Sequence, residues 1–78
     1  IDLNARELPP VFSWMAQTGD IVEAEMLKTF NCGLGMVLSV AADRADALTE
    51  LLQAEGENVA RLGHVTDTGE VRYTGSLL

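Results

Sequence analysis

Apolar positions recur along this chain with more than one spacing, and each spacing predicts a different element. After Pro9-Pro10, the residues Val11, Phe12 and Met15 share one face at helical spacing with Trp14 towards its edge, so a helix is expected through Gln17. Gly19 stands where a left-handed cap would end it. Asp20-Ile21-Val22-Glu23 then reads as a capping box, with Asp20 accepting from a first-turn amide and Glu23 reaching back. A second helix should follow to about Thr29, its narrow stripe made by Val22, Met26 and Phe30 with Leu27 beside it.

The pattern changes at Met36-Val37-Leu38-Ser39-Val40-Ala41, which is apolar, partly β-branched and almost free of polar alternation. Such a run predicts a central strand covered on both faces. Asp43 is placed to cap a third helix whose buried face is Ala45, Leu48, Leu51, Leu52 and Ala54, and Gly56 ends it. Asn58 to Thr66 reads as a second strand, Asp67-Thr68-Gly69-Glu70 as a turn, and Val71 to Thr74 as the return strand of a hairpin. Residues 1 to 8 show no clear periodicity. The expected fold class is therefore α+β in the order α-α-β-α-β-β: a mixed sheet with partial ferredoxin-like topology, inside a two-layer or three-layer domain. Three strands make a thin sheet, which neighbouring strands are expected to complete.

Composition bounds what such a unit does. With 78 residues the chain is one domain spanning 1–78, and a domain this small buries only about 60 to 65% of its unfolded-chain surface. A hydrophobic fraction of 47% against 22% charged residues excludes a disordered chain. Five Lys and Arg against twelve Asp and Glu give a net charge of -7, which argues against nucleic acid and against anionic membranes as partners. One cysteine forms no internal disulfide, and the apolar run from Met36 to Ala42 is too short to span a bilayer. A cytoplasmic location is expected. The chain starts at Ile1 rather than at a methionine and is expected to be part of a longer polypeptide.

The stretch from Glu25 to Met36 holds a helix end, a polar corner and a glycine-punctuated approach to a strand within twelve residues. Regular structure on both sides would hold Asn31 and Cys32 in place there. Cys32 as a nucleophile needs a base within hydrogen-bond reach, and the only histidine is His64 in a different predicted strand. A packed structural thiol is the better reading. Gly33 and Gly35 lack the third glycine of a dinucleotide fingerprint, because Leu38 stands in its place, and no P-loop lysine follows. Asp43, Asp46 and Glu50 share a helical face, but first-turn acids on a solvated face explain them without a metal. Glu23 and Glu25 point to different sides of their helix, and Met15, Met26 and Met36 read as core fillers. Neither a catalytic residue nor a metal site is expected within the chain.

Pro9-Pro10-Val11-Phe12-Ser13-Trp14, then Glu25-Met26-Leu27-Lys28-Thr29-Phe30-Asn31-Cys32-Gly33-Leu34-Gly35-Met36, then Gly56-Glu57-Asn58 and Gly63, resemble the C-terminal part of the C-terminal domain of aminoimidazole ribonucleotide synthetase, also called phosphoribosylformylglycinamidine cyclo-ligase. The resemblance covers nearly the whole chain, and the run from Met26 to Met36 is its most specific part. Family members more often carry Arg at the position of Lys28 and an aliphatic residue at that of Met15; a lysine there lacks a two-pronged anion contact.

The resemblance implies an ATP-dependent ligase of purine biosynthesis. ATP phosphorylates the formamide oxygen of formylglycinamidine ribonucleotide, and an amidine nitrogen then closes the imidazole ring with loss of phosphate. ATP and magnesium are expected mainly on an N-terminal domain that also forms a homodimer, so the 78 residues are expected to be inactive alone. Thr29, Asn31, Cys32 and Gly33 are expected to line the substrate side of the cleft, as hydrogen-bonding groups for the ribonucleotide. Two rival readings are a superfamily relative such as selenophosphate synthetase or formylglycinamidine ribonucleotide synthetase, and a non-catalytic α+β assembly or regulatory module.

Overall fold

The computed structural model describes residues 1–78. Helix α1 runs Pro10–Gly19 and helix α2 Glu23–Thr29; a 3-10 turn Ala42–Arg44 leads directly into helix α3, Ala45–Ala54. The three helices stand where the apolar spacing placed them, while their caps differ. The first helix continues through Gly19, and Asp20 takes the left-handed turn at φ 53 and ψ 46 with its amide donating to the Ala16 carbonyl. Aspartate is among the few residues that tolerate this region. At α2 the cap is Val22, without a side-chain hydrogen bond. The expected capping box does not form, because the Glu23 carboxylate instead accepts from the Leu77 amide and, at 3.5 Å, from the Ser76 hydroxyl. Asp43 lies inside the 3-10 turn and caps nothing, whereas Gly56, at φ 90, ends α3 as expected.

The expected mixed sheet is absent. The only β pairing is an isolated parallel bridge between Asp2 and Thr74. Residues 34–41, 57–66 and 71–73 have no assigned helix or strand. Backbone groups determine the difference: a strand exists only when a second chain segment answers its amides and carbonyls. The return segments pair with the aperiodic N-terminus rather than with each other. The Ile1 amino group donates to the Arg72 carbonyl at 2.7 Å, the Thr74 amide to Ile1 at 2.9 Å, the Leu3 amide to Thr74 at 2.9 Å, and the Asp2 amide to Leu62 at 2.6 Å. The bend at 67–70 forms, held by the Thr68 hydroxyl, but no hairpin ladder extends from it.

The core is correspondingly small. Ala16, Met26 and Cys32 are the buried residues, and Met26 alone is fully enclosed. Phe12 meets Phe30 edge to face at 6.1 Å and 61°, which locks α1 against the end of α2. Helix α3 buries nothing: Leu51 is 59% exposed, and the expected apolar face has no partner helix or sheet. The chain forms a slab of 41 × 33 × 17 Å with a radius of gyration of 14.0 Å, against about 11.5 Å for a compact domain of this length.

The C-terminal end is clamped onto the front of the molecule. Asn4 Oδ1 accepts from the Ser76 amide at 3.3 Å. Gly75 passes over the Asn4 side chain at φ 78, where a Cβ would stand 2.5 Å from Nδ2. Only glycine fits both the angle and the contact.

Candidate functional site

The corner after α2 is built from backbone outward. Thr29 is the last residue of α2 and is exposed; the Phe30 amide closes the helix on the Met26 carbonyl at 3.0 Å. Asn31 Oδ1 then accepts from the Gly33 amide at 2.9 Å, the side-chain turn for which asparagine is suited. The Leu34 amide donates to the Asn31 carbonyl at 3.0 Å. Between them Cys32 adopts φ 53 and Gly33 φ 91, so two successive residues lie in the left-handed region. For Cys32 this conformation is uncommon and is held by the packing of its side chain.

Cys32 points inward, its thiol facing the carbonyl oxygens of Phe30 at 3.7 Å and Met26 at 3.9 Å. Burial pushes the thiol above its ordinary pKa. At neutral pH it stays protonated, and a protonated thiol is a poor nucleophile. His64 is exposed in the extended segment after Gly63 and takes no part in these contacts. Cys32 is thus a packing residue that fixes the corner.

Two contacts that the pattern of residues did not announce complete the corner. Arg6 donates from Nη1 to the Gly33 carbonyl at 3.1 Å. Pro9 lies beneath Gly33, where a Cβ would come within 2.6 Å of its ring. The segment before α1 therefore supports the loop after α2, a role hidden in the sequence because residues 1 to 8 carry no periodicity.

The four expected substrate residues fall within five positions, 29–33, yet they present different atoms. Thr29, Asn31 and Gly33 are exposed and Cys32 is buried. The Gly33 amide is already donated to Asn31, which leaves the Asn31 Nδ2 group and the Thr29 hydroxyl as the outward polar groups. Gly35 follows with open space beside it. A hollow of about 460 Å³ lies along α2, lined by Glu23, Ala24, Leu27, Lys28 and Tyr73, and none of the four residues lines it.

Elsewhere the ionisable groups are dispersed. Asp46 pairs with Arg61 at 2.5 Å, both largely exposed, and Arg72 lies 3.8 Å from Glu70. No three His, Cys, Asp or Glu side chains gather in a way that holds a metal ion, so these residues do not fit a magnesium site. Of the five basic residues, Arg6, Arg61 and Arg72 are engaged with the chain itself, which leaves Lys28 and Arg44 as the uncommitted cations. No helix is long and apolar enough to cross a membrane.

No solved structure matches the chain. The family model described as AIR synthase related protein, C-terminal domain, matches residues 1–76. That match takes in the Asn4 clamp, the Arg6 contact and the whole corner, and it covers all but two residues. The chain therefore belongs to the AIR synthase related family, as its C-terminal domain.

Proposed function

We propose that this domain serves the cyclo-ligase of that family, which closes the imidazole ring of formylglycinamidine ribonucleotide to give aminoimidazole ribonucleotide with ATP as the activating group. The observation that carries the reading is the corner itself: Asn31 is fixed by its own turn to Gly33, and Arg6 holds that turn from the other side. A polar group immobilised at an element junction meets the main demand of ring closure, which is to bring two ends of one flexible substrate together. Asn31 Nδ2 donates to the ribonucleotide, and the Thr29 hydroxyl, two residues earlier at the end of α2, serves as donor or acceptor. Cys32 contributes shape alone. ATP and magnesium are assigned to another part of the enzyme, which forms a homodimer.

The test uses the full-length enzyme. Asn31→Asp keeps the oxygen that accepts from Gly33 and removes the outward amide donor, so it separates substrate contact from turn formation. It is expected to raise KM for the ribonucleotide by roughly three- to tenfold, the worth of one neutral hydrogen bond, with KM for ATP unchanged. Thr29→Ala should act in the same direction and more weakly. Unchanged kinetics in both variants would reject the assignment.

A further inference from the structure

The hollow of about 460 Å³ along α2 joins two parts of the chain that are far apart in sequence. Glu23, Ala24, Leu27 and Lys28 come from α2, and Tyr73 closes the other side from the segment that pairs with the N-terminus. A concavity of this size is in the range that encloses small ligands, about 300 to 1,000 Å³. Its charged groups sit at opposite ends. Lys28 is in the last turn of α2, exposed, and forms no ion pair. Glu23 is the first residue of the same helix, about 7.5 Å away along the axis. Its carboxylate is committed to the Leu77 amide and the Ser76 hydroxyl. Between these ends Ala24, Leu27 and the ring of Tyr73 supply apolar contact. Such a hollow suits a ligand with an anion on an uncharged body, and repulsion from Glu23 directs the anion to the Lys28 end.

We propose that this hollow holds the phosphate monoester of the ribonucleotide, with Lys28 Nζ as its cation and the Tyr73 hydroxyl as a second donor. The inference rests on the cyclo-ligase reading for the identity of the ligand, and on the hollow for the place of its phosphate. Lys28 directly precedes Thr29 and stands three residues before Asn31, so the Cα atoms of Lys28 and Asn31 are at most about 11 Å apart. A phosphorylated ribose spans that gap, its phosphate at Lys28 and its far end at Asn31 Nδ2. A lysine ammonium answers a phosphate as a point charge and needs no planar match. Arg44, the other uncommitted cation, lies in the 3-10 turn and does not line the hollow.

The experiment is calorimetric binding of ribose 5-phosphate to the full-length enzyme, alongside KM for the ribonucleotide. Lys28→Gln should weaken ribose 5-phosphate about tenfold, the worth of one charged hydrogen bond, and raise KM for the ribonucleotide by a similar factor. Lys28→Arg keeps the charge and should hold the affinity within about threefold. Tyr73→Phe should cost about two- to fivefold. Arg44→Gln, outside the hollow, should change neither quantity, and circular dichroism should be the same for all four variants. Rising salt should weaken binding by the parent protein far more than by Lys28→Gln. Inorganic phosphate should compete with ribose 5-phosphate, whereas ribose should not bind. No binding of ribose 5-phosphate, or equal affinity in the parent and Lys28→Gln, would overturn the proposal; either is the outcome if another part of the polypeptide fills the hollow. Binding of ribose itself, or a raised KM for ATP in place of the ribonucleotide, would overturn it too. Loss of binding in Lys28→Gln by a protein that does not turn over the ribonucleotide would uphold the phosphate site and reject the cyclo-ligase reading alone.

Discussion

The corner from Met26 to Gly33 and the segment from Met36 to Ala41 are close in sequence and both apolar in part, yet they end in opposite states. The first contains Met26 and Cys32, two of the three buried residues, and has support from α1, Pro9 and Arg6. The second is exposed along its length, and its backbone makes no hydrogen bond except at its end, where the Ala41 carbonyl accepts from the Arg44 amide. A helix satisfies its own backbone and needs only one face covered, whereas a strand needs a neighbour for its hydrogen bonds before its side chains can be buried. Hydrophobicity alone therefore does not fix burial; the element that carries it decides what further partner is required.

The largest expected effect that sharpens this contrast is at Met26. Met26→Ala removes the one fully enclosed side chain and should cost about 2 to 5 kcal/mol. In a core this small that is enough to abolish cooperative unfolding of α1 and α2, followed by circular dichroism against denaturant. Met36→Ala, at an exposed position, should shift the same transition by less than about 0.5 kcal/mol. Equal losses at the two methionines would erase the distinction drawn between the regions.

Next comes Gly33, where φ 91 and the contact with Pro9 both oppose a side chain. Gly33→Ala should destabilise the corner by roughly 1 to 3 kcal/mol. Gly35→Ala, with open space around it, should leave the denaturation midpoint nearly unchanged.

The thiol offers a smaller and pH-dependent effect. Because burial raises the Cys32 pKa in the folded state, its contribution to stability is complete below the unfolded value of about 8.5. It is lost as pH rises through the folded value. Iodoacetamide should label Cys32 several-fold more slowly than the unfolded chain at neutral pH, with the gap narrowing in alkali. Equal labelling rates would mean that the corner opens freely.

The smallest effect belongs to the Arg61–Asp46 pair. Both side chains are largely exposed, so Arg61→Ala should change stability by less than about 0.5 kcal/mol, and less again in high salt. A larger loss would show that α3 is held to the following segment by more than its exposure indicates.

The helices were legible because their signals are local. Pro9-Pro10 starts α1, and Met26 and Phe30 mark the buried side of α2. Gly56 closes α3. The caps were less legible, since Asp20 and Gly19 compete for one left-handed position and Glu23 has two possible sets of donors. The candidate corner could be located from Asn31, Cys32 and Gly33, and the resemblance to the family rested on it. Arg6 escaped notice because its partner is a backbone carbonyl twenty-seven residues away, and no spacing rule links the two.

What the sequence determined by itself was the position of each helix, the net negative charge of the chain, and the family, through one long and specific motif. Tertiary structure alone decided that Cys32 packs inward, that Asn31 spends its oxygen on Gly33, and that Glu23 holds the C-terminal end instead of capping its helix. It also overturned the sheet. Helical hydrogen bonds close within a few residues, so the local pattern is enough to specify them; strand hydrogen bonds join distant segments, and no local pattern states whether the other segment is present.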